Sequence, residues 1–77
     1  MNGLEKLIRF LDELEAKKIY FKLGKIRGSI LVEIAVPGER WEAEFFGDGH
    51  VEVERFYGRG EIGGESELEI LFRDFSD

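Results

Sequence analysis

Between Ile30 and Phe56 the chain leaves itself little choice of fold. Ile30, Val32, Ile34 and Val36 alternate with Leu31, Glu33 and Ala35, the two-residue period of a strand with one buried face. Pro37-Gly38 follows, with Pro fixing φ at the first central position of a turn and Gly accepting positive φ at the second. A two-residue turn pairs Val36 with Glu39, Ile34 with Trp41, Val32 with Ala43 and Ile30 with Phe45, so apolar residues meet apolar residues along the buried face. Gly47-Asp48-Gly49 then suits a three-residue loop with a left-handed Gly, which pairs Phe45 with Val51 and Ala43 with Val53. A two-residue loop would set Phe45 against Glu52. On the outward face the same register puts Glu33 beside Glu42 beside Glu54, and Glu44 beside Glu52. Like charges directly opposite across strands are destabilising. The stretch identifies a fold and an acidic surface; it does not identify a reaction.

The strands on either side extend the pattern. Ile19 to Ile26 reads as the first strand, and Arg27-Gly28 as a two-residue turn that pairs Leu23 with Val32, Phe21 with Ile34 and Ile19 with Val36. Lys22 then joins the outward Glu row, and Tyr20 lies outward beside Ala35 and Arg40. Past Val53 the alternation falters. Arg55 takes an inward slot opposite Trp41, and Phe56-Tyr57 is expected to change face at a bulge or to leave the sheet. Segment 58–64 holds four of the ten glycines and is expected to be a loop. It is no phosphate loop, because no Gly-Lys-Ser/Thr follows it.

Two helices bracket the strands. Leu4, Leu7, Ile8, Leu11 and Leu14 recur at three- and four-residue spacing and, widened by Phe10, define a core-facing stripe over residues 3–18. Asn2 is placed as the N-cap, with Lys17-Lys18 at the end where cations suit the helix dipole. The stripe is too short for a coiled coil. Ser66-Glu67-Leu68-Glu69 is a capping box opening a second helix, whose apolar face is Leu68, Leu71, Phe72 and Phe75, with Ile70 pointing elsewhere. The expected architecture is α+β over residues 1–77 as a single domain. An N-terminal helix leads into a four-stranded antiparallel meander and a C-terminal helix, both helices lie on one face, and the acidic face is left bare.

Composition bounds the chemistry. There is no Cys, so thiolate zinc sites and thiol catalysis are out of reach. A single His excludes a His-pair metal site within one chain. No apolar run approaches the length of a transmembrane helix, and Met1-Asn2-Gly3 followed by charged residues is no signal peptide, so the cytoplasm is the expected location. The net charge of −6 is uneven: residues 1–32 carry seven Lys/Arg against four Asp/Glu, residues 33–77 four against thirteen. Such a balance opposes nucleic acid and acidic lipid and favours a basic protein partner.

The cluster Glu33, Glu42, Glu44, Glu52 and Glu54 admits several readings. Catalytic carboxylates need a cleft and one raised pKa, which a bare sheet face does not offer. A calcium site needs ligands converging from a loop, which strand positions rarely supply. No catalytic, cofactor-binding or metal-binding residue is therefore assigned. Two readings stay open: a solvated face that discourages edge-to-edge aggregation, and a docking surface to which Tyr20, Leu31, Phe46 and His50 belong by parity. Of these, Tyr20 and Phe46 join the five glutamates as the candidate partner-binding set, and His50 is expected to be exposed at its turn. Trp41 falls on the inward face, with its indole N–H reaching the rim.

Residues Tyr20 to Phe75 resemble a group of small acidic bacterial proteins. The resemblance is carried by Val36-Pro37-Gly38-Glu39-Arg40-Trp41-Glu42, Phe45-Phe46-Gly47-Asp48-Gly49, Val51-Glu52-Val53-Glu54 and Leu71-Phe72-Arg73-Asp74-Phe75. Proteins of similar build occur among the immunity proteins that neutralise toxins of interbacterial competition. The resemblance implies a non-enzymatic, cofactor-free protein that blocks a basic, nuclease-like toxin domain. The alternative is a small homo-oligomeric structural or regulatory module, with a homodimer as its simplest form.

Overall fold

The computed structural model describes residues 2–56 and 60–75, of which 60–63 and 75 are described by their backbone alone. The chain runs α1 (Gly3–Ala16), β1 (Tyr20–Ile26), β2 (Ser29–Val36), β3 (Glu39–Phe46), β4 (Val51–Phe56), β5 (Gly60–Gly64) and α2 (Glu67–Phe75). The α+β class and the antiparallel meander between two helices are as expected. The order across the sheet is the order along the chain, as hairpins joined by short turns require.

The register of the first four strands follows the turns. Val36 faces Glu39, Ile34 faces Trp41 and Val32 faces Ala43, while Phe45 faces Val51 and Ala43 faces Val53. Gly28, Gly38 and Gly49 hold φ of 77°, 78° and 96°, positions where a side chain would be strained. At the third turn the Gly49 N–H donates to the Phe46 carbonyl and the Phe46 N–H to the His50 carbonyl, both at 3.0 Å. This is the type I turn plus left-handed Gly of a three-residue hairpin loop.

The inward face meets both helices. Val32, Ile34, Trp41, Ala43, Phe45, Val51 and Val53 form one buried cluster with Phe10 and Leu14 of α1 and Leu68 and Leu71 of α2. The Phe10 ring lies 5.3 Å from that of Phe45 and 5.6 Å from that of Phe72, centre to centre. Asn2 caps α1, its side chain accepting from the Glu5 N–H at 2.8 Å. At the other end Lys18 takes φ of 58°. The Ile19 N–H then reaches the Leu14 carbonyl at 2.9 Å and the Lys18 N–H the Glu15 carbonyl at 3.1 Å, a Schellman ending with buried Leu14 and Ile19 at its apolar contact.

Four expectations change. Segment 60–64, read as loop, pairs with β4 as a fifth strand: Gly64 faces Glu52, Gly63 faces Val53 and Gly60 faces Phe56. The open edge of β4 supplies the hydrogen bonds, and glycines beside its larger side chains add no bulk. Tyr57, Gly58 and Arg59 of that predicted loop lie outside the described residues. Phe56 keeps its parity opposite Arg40, so the sheet continues where a change of face was expected. Ile70 packs against the core. Leu4 and Ile8, placed in the core stripe, are exposed, as is Leu23 despite its inward slot. The helix covers the centre of the sheet and leaves this flank bare.

Candidate functional site

The outward face is laid out in rows fixed by the register. Tyr20, Ala35, Arg40 and Phe56 form the first row; Lys22, Glu33, Glu42 and Glu54 the second; Gly24, Leu31, Glu44 and Glu52 the third; Ile26, Ser29 and Phe46 the fourth. The five glutamates thus occupy a band two rows wide, between rows that carry aromatic side chains. Tyr20 and Phe46 stand at opposite ends of the face, Tyr20 on the edge strand and Phe46 on β3. Charge sits at the centre and flat apolar groups at the margins.

Few of these carboxylates are neutralised by neighbours. Arg40 reaches Glu42 at 3.7 Å, a partly exposed pair of small energetic weight. The Ser29 hydroxyl, itself buried, donates to Glu44 at 2.6 Å and orients that side chain. Lys22 stands opposite Glu33 in the register. A dimple of about 60 Å³ lies among Leu31, Glu42, Glu44, Glu52 and Glu54, far below the roughly 300 Å³ at which small-molecule sites begin. Among the described residues no cluster of three or more His, Asp or Glu could hold a metal ion.

Two features at the margins escape a reading from parity. The His50 imidazole stacks on the Phe46 ring, 4.1 Å between centres and 6° from parallel. His50 also places Nδ1 2.6 Å from Asp48 and Nε2 3.4 Å from Glu52. The side-chain hydrogen bond to Asp48, with Glu52 assisting, holds the His50 pKa above its ordinary value. The His50 backbone N–H, 3.0 Å from the Asp48 carboxylate, and then the His50 ring hold Asp48 below its own. At the opposite end the Arg40 guanidinium lies 4.4 Å from the centre of the Phe56 ring. Both pairings cross strands or turns, and neither has a local sequence signal.

The inward face holds a polar group of its own. Arg55 donates to Glu39 through Nε at 2.6 Å and through a terminal nitrogen at 3.1 Å. Its guanidinium lies 4.8 Å from the Trp41 ring centre, and the Trp41 indole N–H donates to Glu39 at 3.1 Å. Trp41 is fully buried on the inward face, as expected, and its indole N–H finds its partner in part-buried Glu39, which the alternation did not single out. Arg55, ahead of the opposing effect of burial, holds the Glu39 carboxyl below its ordinary pKa. This fork anchors the sheet end that carries Arg40 and Phe56 on its other side.

Among the described residues no helix is long and apolar enough to cross a membrane. Comparison with protein families, curated proteins and solved structures returns no match for this chain.

Proposed function

We propose that the chain is a non-enzymatic binding protein whose acidic sheet face docks on a basic protein, as an immunity protein blocks a nuclease-like toxin. The observation that carries the reading is the band of five glutamates held side by side on β2, β3 and β4. Each cross-strand Glu pair costs stability in the isolated chain, and a cationic partner would convert that cost into affinity. A regular row of carboxylates on a twisted sheet imitates the spaced charges of a nucleic-acid backbone. Phe46 with its His50 lid and Tyr20 give the band apolar margins, where desolvated aromatic contacts slow dissociation.

The test begins in the genome. The product of the reading frame immediately upstream is expressed alone and together with this chain. The expected result is growth arrest by the first product, relieved by this chain and abolished when Glu42, Glu44 and Glu52 are replaced by Gln. Full relief by the triple variant contradicts the reading. Independently, the apolar side chains left exposed on α1 and β1 favour self-association; the two readings share Tyr20 and otherwise use different residues.

A further inference from the structure

We infer that the chain forms a two-fold symmetric dimer through the free edge of β1, with Leu23 of each copy at the centre of the seam. Among the described residues the exposed large apolar side chains are Leu4 (67%), Ile8 (48%), Tyr20 (62%), Leu23 (55%) and Ile26 (41%). All five belong to α1 or β1, two neighbouring elements on one flank. α1 packs against β1, and Leu4 of α1 and Lys25 of β1 line a shared groove of about 560 Å³. Leu23 takes an inward slot opposite Val32 while Tyr20 and Ile26 lie in the outward rows, so both faces of the β1 edge carry apolar groups that the core does not use.

The backbone of β1 is ready to pair. In a two-residue hairpin the residues flanking the turn, here Ile26 and Ser29, exchange hydrogen bonds, and such pairs then alternate along the ladder. Tyr20, Lys22, Gly24 and Ile26 therefore bond toward β2. The N–H and C=O groups of Phe21, Leu23 and Lys25 point off the edge, since β1 ends the sheet. Exposed edges of this kind are templates for strand addition.

The occupant that fits is a second copy of the chain. Antiparallel pairing about Leu23 sets Leu23 against Leu23 of the other copy, Phe21 against its Lys25, Lys22 against its Gly24, and Tyr20 against its Ile26. No Lys faces Lys, and each Lys25 meets an aromatic ring, a favourable arrangement for a cation. In other registers Lys22 and Lys25 guard the edge against indiscriminate pairing. The seam also escapes the acidic half of the chain. The β3 strands of the two copies would stand about 24 Å apart at sheet spacing, several Debye lengths at physiological salt.

The size of the seam sets its strength. Seven residues of β1 span about 24 Å, and the molecule is 20 Å in its shortest extent. Each copy then buries on the order of 500 Å², near the lower limit of specific interfaces. The dimer should be reversible and concentration-dependent.

The experiment is sedimentation velocity over a wide concentration range, joined to cysteine cross-linking. The chain has no Cys, so Leu23→Cys introduces a single reporter. Paired Cα atoms in a hydrogen-bonded antiparallel pair lie about 5.5 Å apart, within disulfide reach. The expected results are a monomer–dimer equilibrium, its shift at least tenfold toward monomer in Leu23→Lys, and rapid oxidation of Leu23→Cys to a covalent dimer while Glu52→Cys stays monomeric. Leu23 is exposed, so neither change threatens the fold. A chain monomeric at all concentrations overturns the inference. So does a dimer indifferent to Leu23→Lys, or cross-linking of Leu23→Cys no faster than that of Glu52→Cys. Loss of partner binding in Glu-to-Gln variants leaves these readouts untouched, so the two proposals fail separately.

Discussion

Lys18 carries a conformation that its side chain resists. Its φ of 58° costs an L-residue about 1–2 kcal/mol, and the Schellman ending of α1 demands it there. Lys18→Gly relieves that strain, and the freedom glycine gains in the unfolded chain offsets part of the benefit. The expected outcome is a net gain of about 0.5–1 kcal/mol in chemical denaturation; a loss would mean that the lysine side chain contributes something the cap geometry does not show. His50 offers a second test at this scale. Its pKa is raised in the folded state by Asp48 and Glu52, so its contribution to stability is full below its ordinary value of about 6.5. That contribution is lost as pH rises through the folded value. His50→Gln should therefore flatten the fall in stability above pH 6.5. Thermal unfolding followed at steps of pH would show it, and an unchanged slope would place the titrating group elsewhere.

At the scale of elements, strand register is the most legible feature, because the turn residues and the inward alternation specify it twice over. Pro37-Gly38 and Gly47-Asp48-Gly49 fix loop lengths, and those lengths align Ile34 with Trp41 and Phe45 with Val51. The register also delivers the candidate site, since Glu33, Glu42 and Glu54 fall in line only in that pairing. β5 was not legible, because its Gly-rich sequence carries a loop signal and the edge of β4 supplies what the side chains do not. The exposure of Leu4, Ile8 and Leu23 was equally hidden: periodicity tells which way a residue points, not whether anything covers it. The charge row yields a stability prediction. Glu42 stands between Glu33 and Glu54, and among the described residues the partly exposed Arg40 at 3.7 Å is its ion-pair partner. Glu42→Thr removes the central repulsion and supplies a good strand former, so a gain of about 0.5–1 kcal/mol is expected. A clear loss in urea denaturation would show that the Arg40 pair outweighs both neighbours and would take away the argument that the row is kept for a partner.

For the whole molecule, charge gathers at the centre of the outward sheet face, and exposed apolar groups lie at its margins and on the α1–β1 flank. The sheet presents glutamates at its centre, the α1–β1 flank presents leucine and isoleucine, and the Glu39–Arg55–Trp41 group holds one end of the inward face. The sequence shows the charge asymmetry directly, whereas the stacked Phe46–His50 pair and the Arg40–Phe56 contact depend on the folded chain bringing separate strands together. The central claim, that the acidic face docks on a basic protein, is an electrostatic claim and has a kinetic signature. Steering by unlike charges acts on the association rate and is screened by salt, whereas loss of a buried aromatic contact acts on dissociation. The decisive measurement is stopped-flow association with the cognate partner across ionic strength, for the parent, for Glu44→Gln with Glu52→Gln, and for Phe46→Ala. The account predicts an association rate that falls steeply with salt, falls further and flattens in the Gln variant, and is nearly unchanged in Phe46→Ala, whose dissociation quickens instead. A tight complex whose association ignores salt and all three substitutions would contradict it and move the interface to the helices.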